Sequence, residues 1–165
     1  MRSLLIFIVF IAGLGSPPAS AQFFARGQFV LDLTGRLEWL RCSVGQRWSE
    51  DTKSCVGEVI PLDHDLIAQA IKQANEQLGQ GWRLPTQDEL VALVCINCGI
   101  YLVGPTIDTN FFPNTFGGSY WTSDANSLSS RHQVSVNFRT GYSYSRFLRS
   151  QALAVRLVRD YKRSK

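Results

Sequence analysis

Trp82-Arg83-Leu84-Pro85-Thr86-Gln87-Asp88-Glu89-Leu90 decides how this chain folds. Pro85 has no amide hydrogen to donate and pushes Leu84 towards extended geometry, so no helix runs through it. Thr86 and Glu89 have capping-box spacing. The Thr86 hydroxyl can accept from the Glu89 amide, while the Glu89 carboxylate accepts from the Thr86 amide. Leu90, Leu93 and Val94 follow at helical spacing, with Val91 beside them. Nine residues thus spell an extended segment, a corner and a short amphipathic helix, roughly Gln87 to Val94.

Working outward, Asp63 or Asp65 is placed to cap a longer helix running to about Leu78. Its apolar positions Leu66, Ile67, Ala70, Ile71, Ala74 and Leu78 share one face, and Gly79 and Gly81 stop it. Further upstream, Phe29 to Leu33 and Arg36 to Leu40 read as strands joined at Thr34-Gly35, with the glycine supplying the unusual dihedral. Leu37 and Trp39 fall on one side of the second strand, Arg36 and Glu38 on the other.

Downstream, Asp108 to Thr115 is a loop with Phe111-Phe112 and a Pro113-Asn114 turn. Gly117-Gly118 leads into a Tyr120-Trp121 strand, and Asp124 to Ser130 is a polar loop. Val134, Val136 and Phe138 alternate as a half-buried strand, Gly141 turns the chain, and Tyr142 to Leu148 returns it. Leu153, Val155 and Leu157 line one face of the last strand. The order is α+β: a hairpin, two helices, then antiparallel strands with long loops.

Several of these stretches, in this order, resemble the Lcl C-terminal-like domain, named for a bacterial collagen-like adhesin. They are Leu33-Thr34-Gly35 with Leu37 and Trp39, Trp82 to Thr86 with Glu89-Leu90, and Ile107-Asp108 with Phe112-Pro113-Asn114-Thr115. Tyr120-Trp121-Thr122-Ser123 and Val155-Arg156-Leu157-Val158-Arg159 complete the series. More distantly the set is similar to the formylglycine-generating enzymes. The resemblance implies a C-type-lectin-like single domain whose first and last strands lie together. It implies no oxidase chemistry, because those enzymes use cysteines late in the domain and the last one here is Cys98. The family's adhesin binds sulfated glycosaminoglycans, which points to a polyanionic ligand, although this chain has no Gly-x-y stalk.

Residues 1–21 have the pattern of a signal peptide: Arg2, an apolar run from Leu4 to Ile11, and Ala19-Ser20-Ala21 before Gln22. The run is short for a bilayer span, which takes about 20 residues. Residues 22–28 read as a flexible lead-in, 29–160 as the domain, and 161–165 as a basic tail. The expected location is exported, either periplasmic or at the cell surface. Export favours disulfides. Cys42 and Cys55 flank a polar loop and suit a local bridge, which leaves Cys95 with Cys98. Cys95-Ile96-Asn97-Cys98 also has the spacing of a redox pair or half a zinc site. The redox reading lacks a thioredoxin-like strand before the motif, and the zinc reading needs Cys42 and Cys55 as the other ligands.

Charge is unevenly placed. Trp48 to Asp124 carries a net −7, and Ala125 to Lys165 a net +8. Such segregation either attracts polyanions or is neutralised within the fold. No catalytic constellation is present in the sequence. His64 and His132 have no metal-ligand spacing, Ser119 lacks a nucleophile elbow, and Glu89 is accounted for as a cap. No cofactor is expected. Arg forks suit sulfate or carboxylate, and exposed aromatic rings suit sugar faces. The candidate ligand-binding residues are therefore Arg131, Arg139, Tyr142, Tyr144, Arg146 and Arg149. Tyr120, Trp121, Asp124 and Asn126 are further sugar-contact candidates, and Asp108-Thr109-Asn110 and Asp124-Ala125-Asn126 offer thin support for calcium. The expected role is a non-enzymatic adhesion module for anionic polysaccharide. The alternative is a structural or protein-interaction subunit of a bacterial envelope assembly. Nucleic acid is not an expected partner.

Overall fold

The computed structural model describes residues 22–98 and 104–161. The expected signal peptide and the tail beyond Tyr161 lie outside that range. Strands β1 (Phe23–Arg26), β2 (Phe29–Asp32) and β3 (Leu37–Leu40) come first, followed by a small hairpin of β4 (Arg47–Ser49) and β5 (Ser54–Val56). Helices α1 (His64–Leu78) and α2 (Gln87–Ala92) follow, then β6 (Ser119–Ala125), β7 (His132–Asn137), β8 (Ser143–Leu148) and β9 (Val158–Asp160). The fold is α+β with antiparallel sheets.

One sheet has the order β1-β2-β3-β9, so the last strand joins the N-terminal sheet but pairs with β3, and the first strand lies at the opposite edge. Trp39 faces Val158 in that pairing. The corner around Trp82 extends the same sheet, since Arg83 and Val158 exchange backbone hydrogen bonds of 2.9 and 3.1 Å. Here the capping box is complete: the Glu89 amide donates to Thr86 Oγ1 at 3.2 Å, and the Thr86 amide to Glu89 Oε2 at 2.8 Å. Trp82 stacks on Phe29, with ring centroids 5.7 Å apart.

A second sheet has the order β6-β7-β8, and its strand β6 contributes to both apolar clusters of the interior. Tyr120 and Trp121 are adjacent in β6, yet both are fully buried, in different apolar clusters. Tyr120 packs in the cluster containing Leu90 and Leu93 around α2, and Trp121 in the one containing Ile67 and Ala74 of α1. A strand covered on both faces loses the in-and-out alternation that half-exposed strands show.

Several expectations are corrected. The lead-in contains β1, whose Phe23 packs against Phe111 and Phe112. Arg36, not Gly35, holds the positive φ of the β2–β3 turn (53°). Gly35 is needed for room, because a β-carbon there would stand 2.6 Å from the Asp32 carboxylate, which accepts from the amides of Thr34 and Gly35. Asp63 caps α1, and Leu66 lies on its exposed side. The last strand is only Val158–Asp160; before it, Leu153 bridges to Leu62 and Ala154 to Tyr120. Tyr161, assigned to the tail, is tied to the sheet by its amide to the Arg36 carbonyl at 2.8 Å. The favoured disulfide pairing, by contrast, stands: Cys42 is bonded to Cys55 and Cys95 to Cys98, and neither pair is left open for zinc.

Candidate functional site

The β7–β8 hairpin carries most of the expected ligand residues. Asn137 builds its turn: the side-chain oxygen accepts from the amides of Arg139 (2.8 Å) and Thr140 (3.2 Å), and the carbonyl from Gly141 (2.8 Å). Gly141 has φ +75°, which a glycine adopts without strain. Ser135 faces Tyr144 and Gln133 faces Phe147, so β8 holds one extra residue between those positions. That bulge falls at Ser145-Arg146, where bulges commonly re-aim a side chain. β8 is the sheet edge and is exposed along most of its length.

The hairpin presents Tyr142 (70% exposed) and Tyr144 (42%). Thr140 Oγ1 lies 3.3 Å from the Tyr144 hydroxyl. Arg146 sits on β8, Arg149 just beyond it, and Arg131 in the loop before β7; all three are exposed. Arg139 is exposed too, and its Nε donates weakly to the Gly117 carbonyl at 3.3 Å. Among the described residues no acid pairs with any of these four arginines.

The remaining arginines with assigned partners behave differently. Arg83 donates to both Glu89 oxygens at 2.8 Å and to Asp160 at 3.0 Å. These pairs raise its already high pKa. Burial alone would raise the Glu89 pKa, but the Arg83 and Thr86 donors outweigh it and lower it. Arg159 pairs with Glu38 and lies over the Trp82 ring at 4.4 Å. Arg41 donates to the Phe111 and Asn110 carbonyls at 2.8 and 2.7 Å and rests on Trp48.

Arg156 is the largest surprise. It is fully buried, and among the described residues no carboxylate pairs with it. Its guanidinium instead donates to the Leu40 and Arg41 carbonyls and to Thr115 Oγ1, and stands 4.9 Å from the Phe112 ring centroid. Burial lowers its pKa. Its one faint signal is an arginine within the apolar run Ala154-Val155-Arg156-Leu157-Val158, which alternation alone assigns to an outer face.

Four of the sugar-contact candidates are not available. Tyr120 is buried, its hydroxyl 2.8 Å from Ser43 Oγ, and Trp121 donates from Nε1 to the Leu62 carbonyl at 2.8 Å. Asp124 accepts from the Gln87 amide at 2.5 Å and so holds the start of α2. Asn126 ties its loop to β8, donating to the Ser145 carbonyl at 2.6 Å. Asp108 is engaged by the Asn110 amide at 2.9 Å, and no group of three His, Cys, Asp or Glu among the described residues is placed to hold a metal. Two clefts of about 510 and 500 Å³ lie elsewhere, around Arg159 and around Pro113. The residues of β8 that carry Tyr144 and Arg146 are exposed.

Residues 28–159 match the family model of the Lcl C-terminal domain. The chain belongs to that family. No curated protein matches it. In this Lcl C-terminal domain the quoted family-like stretches build scaffold: Arg83 and Glu89 fix the corner, Asn114 donates to the Cys55 carbonyl at 2.8 Å, and Thr115 holds Arg156. The exposed arginines and tyrosines of the hairpin lie outside those stretches.

Proposed function

We propose that this Lcl C-terminal domain is an exported, non-enzymatic adhesion module. It takes anionic polysaccharide on the β7–β8 edge through Arg131, Arg139, Arg146 and Arg149, with Tyr142 and Tyr144 packing against sugar rings. The observation that carries the reading is the division among its arginines. Arg41, Arg83, Arg156 and Arg159 are committed to internal partners, while these four are exposed without acidic partners among the described residues. Guanidinium groups in that state can form forked hydrogen bonds to sulfate or carboxylate. Family membership supports an adhesin-like module. The two disulfides, and the lack of a helix long and apolar enough to cross a membrane among the described residues, are consistent with export.

Retention on a heparin column tests the proposal. The wild-type domain should elute well above the loading salt, and the triple variant Arg139→Ala, Arg146→Ala, Arg149→Ala should elute much earlier. Elution of both in the first low-salt fractions would remove it.

A further inference from the structure

We infer that the Cys95–Cys98 bond is a surface site of thiol–disulfide exchange whose state is felt by the Arg139–Tyr142 turn, while Cys42–Cys55 is the inert brace of the fold. The inference stands apart from the ligand reading and is tested without a ligand.

The two bonds sit in different surroundings. Cys55 is fully buried and Cys42 nearly so, and the chain between them forms the β4–β5 hairpin. An attacking thiolate needs access to a sulfur, which that bond denies. Cys98 is exposed and Cys95 half-buried, three positions apart, with Ile96 between them 74% exposed. So short a loop also restrains the unfolded chain less than the longer Cys42–Cys55 loop does. Opening it leaves backbone support in place, since the Cys95 amide still donates to the Thr106 carbonyl (2.9 Å) and the Cys98 amide to the Cys95 carbonyl (3.3 Å).

The turn is not isolated. A β-carbon on Gly141 would meet Val94 Cγ1 at 3.1 Å, Thr106 Oγ1 at 3.8 Å and Ile96 Cγ1 at 3.9 Å. Thr106 in turn donates to the Phe138 carbonyl from its amide (2.5 Å) and its hydroxyl (2.8 Å). The cysteine turn therefore backs the hairpin turn that carries Arg139 and Tyr142.

The exchange needs an external thiol or dithiol as reductant. Its thiolate attacks Cys98 Sγ, on the more exposed of the two residues. A bond to Cys98 forms as the Cys95–Cys98 bond breaks, and the electron pair leaves on Cys95 Sγ. A second thiolate then releases Cys98 and carries the reductant away as its own disulfide. Two electrons enter the protein, and the two cysteine sulfurs take up protons.

Graded dithiothreitol on the folded chain, alkylation and peptide mass spectrometry test this directly. Cys95 and Cys98 should be labelled at a dithiothreitol concentration at least about tenfold below that needed for Cys42 and Cys55, with the far-ultraviolet circular dichroism unchanged. Amide exchange in the peptide covering residues 137–144 should quicken several-fold, both in the mildly reduced protein and in the variant Cys95→Ser, Cys98→Ser. Opening of both bonds together, opening of Cys42–Cys55 first, failure of that variant to fold, or unchanged exchange in both proteins would overturn the inference.

Discussion

Arg156 Nη2 donates to Thr115 Oγ1 at 2.8 Å, and this contact joins a fully buried cation to the loop before β6. The Thr115 hydroxyl also donates to the Phe112 carbonyl at 2.7 Å. One hydroxyl thus connects the segment before β9, the Phe112 loop and the interior. Replacing Arg156 by alanine strands the Leu40 and Arg41 carbonyls, takes one donor from the Thr115 hydroxyl and opens a cavity, so the loss should be roughly 3–5 kcal/mol. Thr115→Val should cost about 1–2 kcal/mol, and the double variant should lose less than the sum. Urea unfolding of the four proteins measures each value; strict additivity would show that the contact carries no coupling.

Thr86→Ala should destabilise by about 1 kcal/mol, and Thr86→Ser by much less, because only the hydroxyl is needed to accept the Glu89 amide. Thermal melts of the three proteins decide it. Equal loss in both variants would place the threonine methyl, and not the cap, at the origin of the effect.

His64 makes stability depend on pH. Its ring stands edge-on to Trp121, 5.4 Å between centroids, and its Nε2 is buried without a partner. Burial, and secondarily Arg149, lowers its pKa from the ordinary 6.5, against the smaller opposite pull of Asp65 and Asp63. Above about pH 6.5 both folded and unfolded imidazoles are neutral and the full stability is present. As pH falls below that value the unfolded chain binds a proton that the folded one resists, so stability declines until the lowered folded pKa is passed. Denaturant melts from pH 7.5 to 5 should show this slope, and His64→Gln should flatten it. An identical slope in the variant would assign the dependence to other groups.

Breaking the deeper bridge should be costly. The variant Cys42→Ser, Cys55→Ser gives the unfolded chain back the freedom of a 13-residue separation, worth about 3 kcal/mol in the chain-entropy model. Chemical denaturation should register that loss. A change under about 0.5 kcal/mol would mean that strain in the folded state offsets the gain.

Much of the scaffold could be read from local chemistry. A proline corner with a capping box, an aspartate before an apolar helical face, and Leu37 alternating with Trp39 are signals carried within a few residues. What stayed hidden depends on partners distant in the chain. Asp124 looks like a loop acid, and only the fold brings it to the Gln87 amide. Trp121 and Tyr120 break alternation because a helix covers each side of their strand. Arg156 reads as outward-facing on a period-two strand, yet the Leu40 and Arg41 carbonyls and Thr115 wait for it inside. The candidate site was half legible: the late arginines and Tyr142 and Tyr144 were singled out, but their separation from Arg156 and Arg159 needed coordinates.

Charge location, rather than net charge, is the central claim, and a charge-matched comparison on heparin tests it most directly. One variant carries Arg139→Ala, Arg146→Ala and Arg149→Ala; the other removes the exposed Arg26, Arg47 and Lys72 from other faces. The first should elute at far lower salt and show a shallower dependence of log affinity on log salt, while the second stays close to wild type. Equal displacement of the two variants would contradict it.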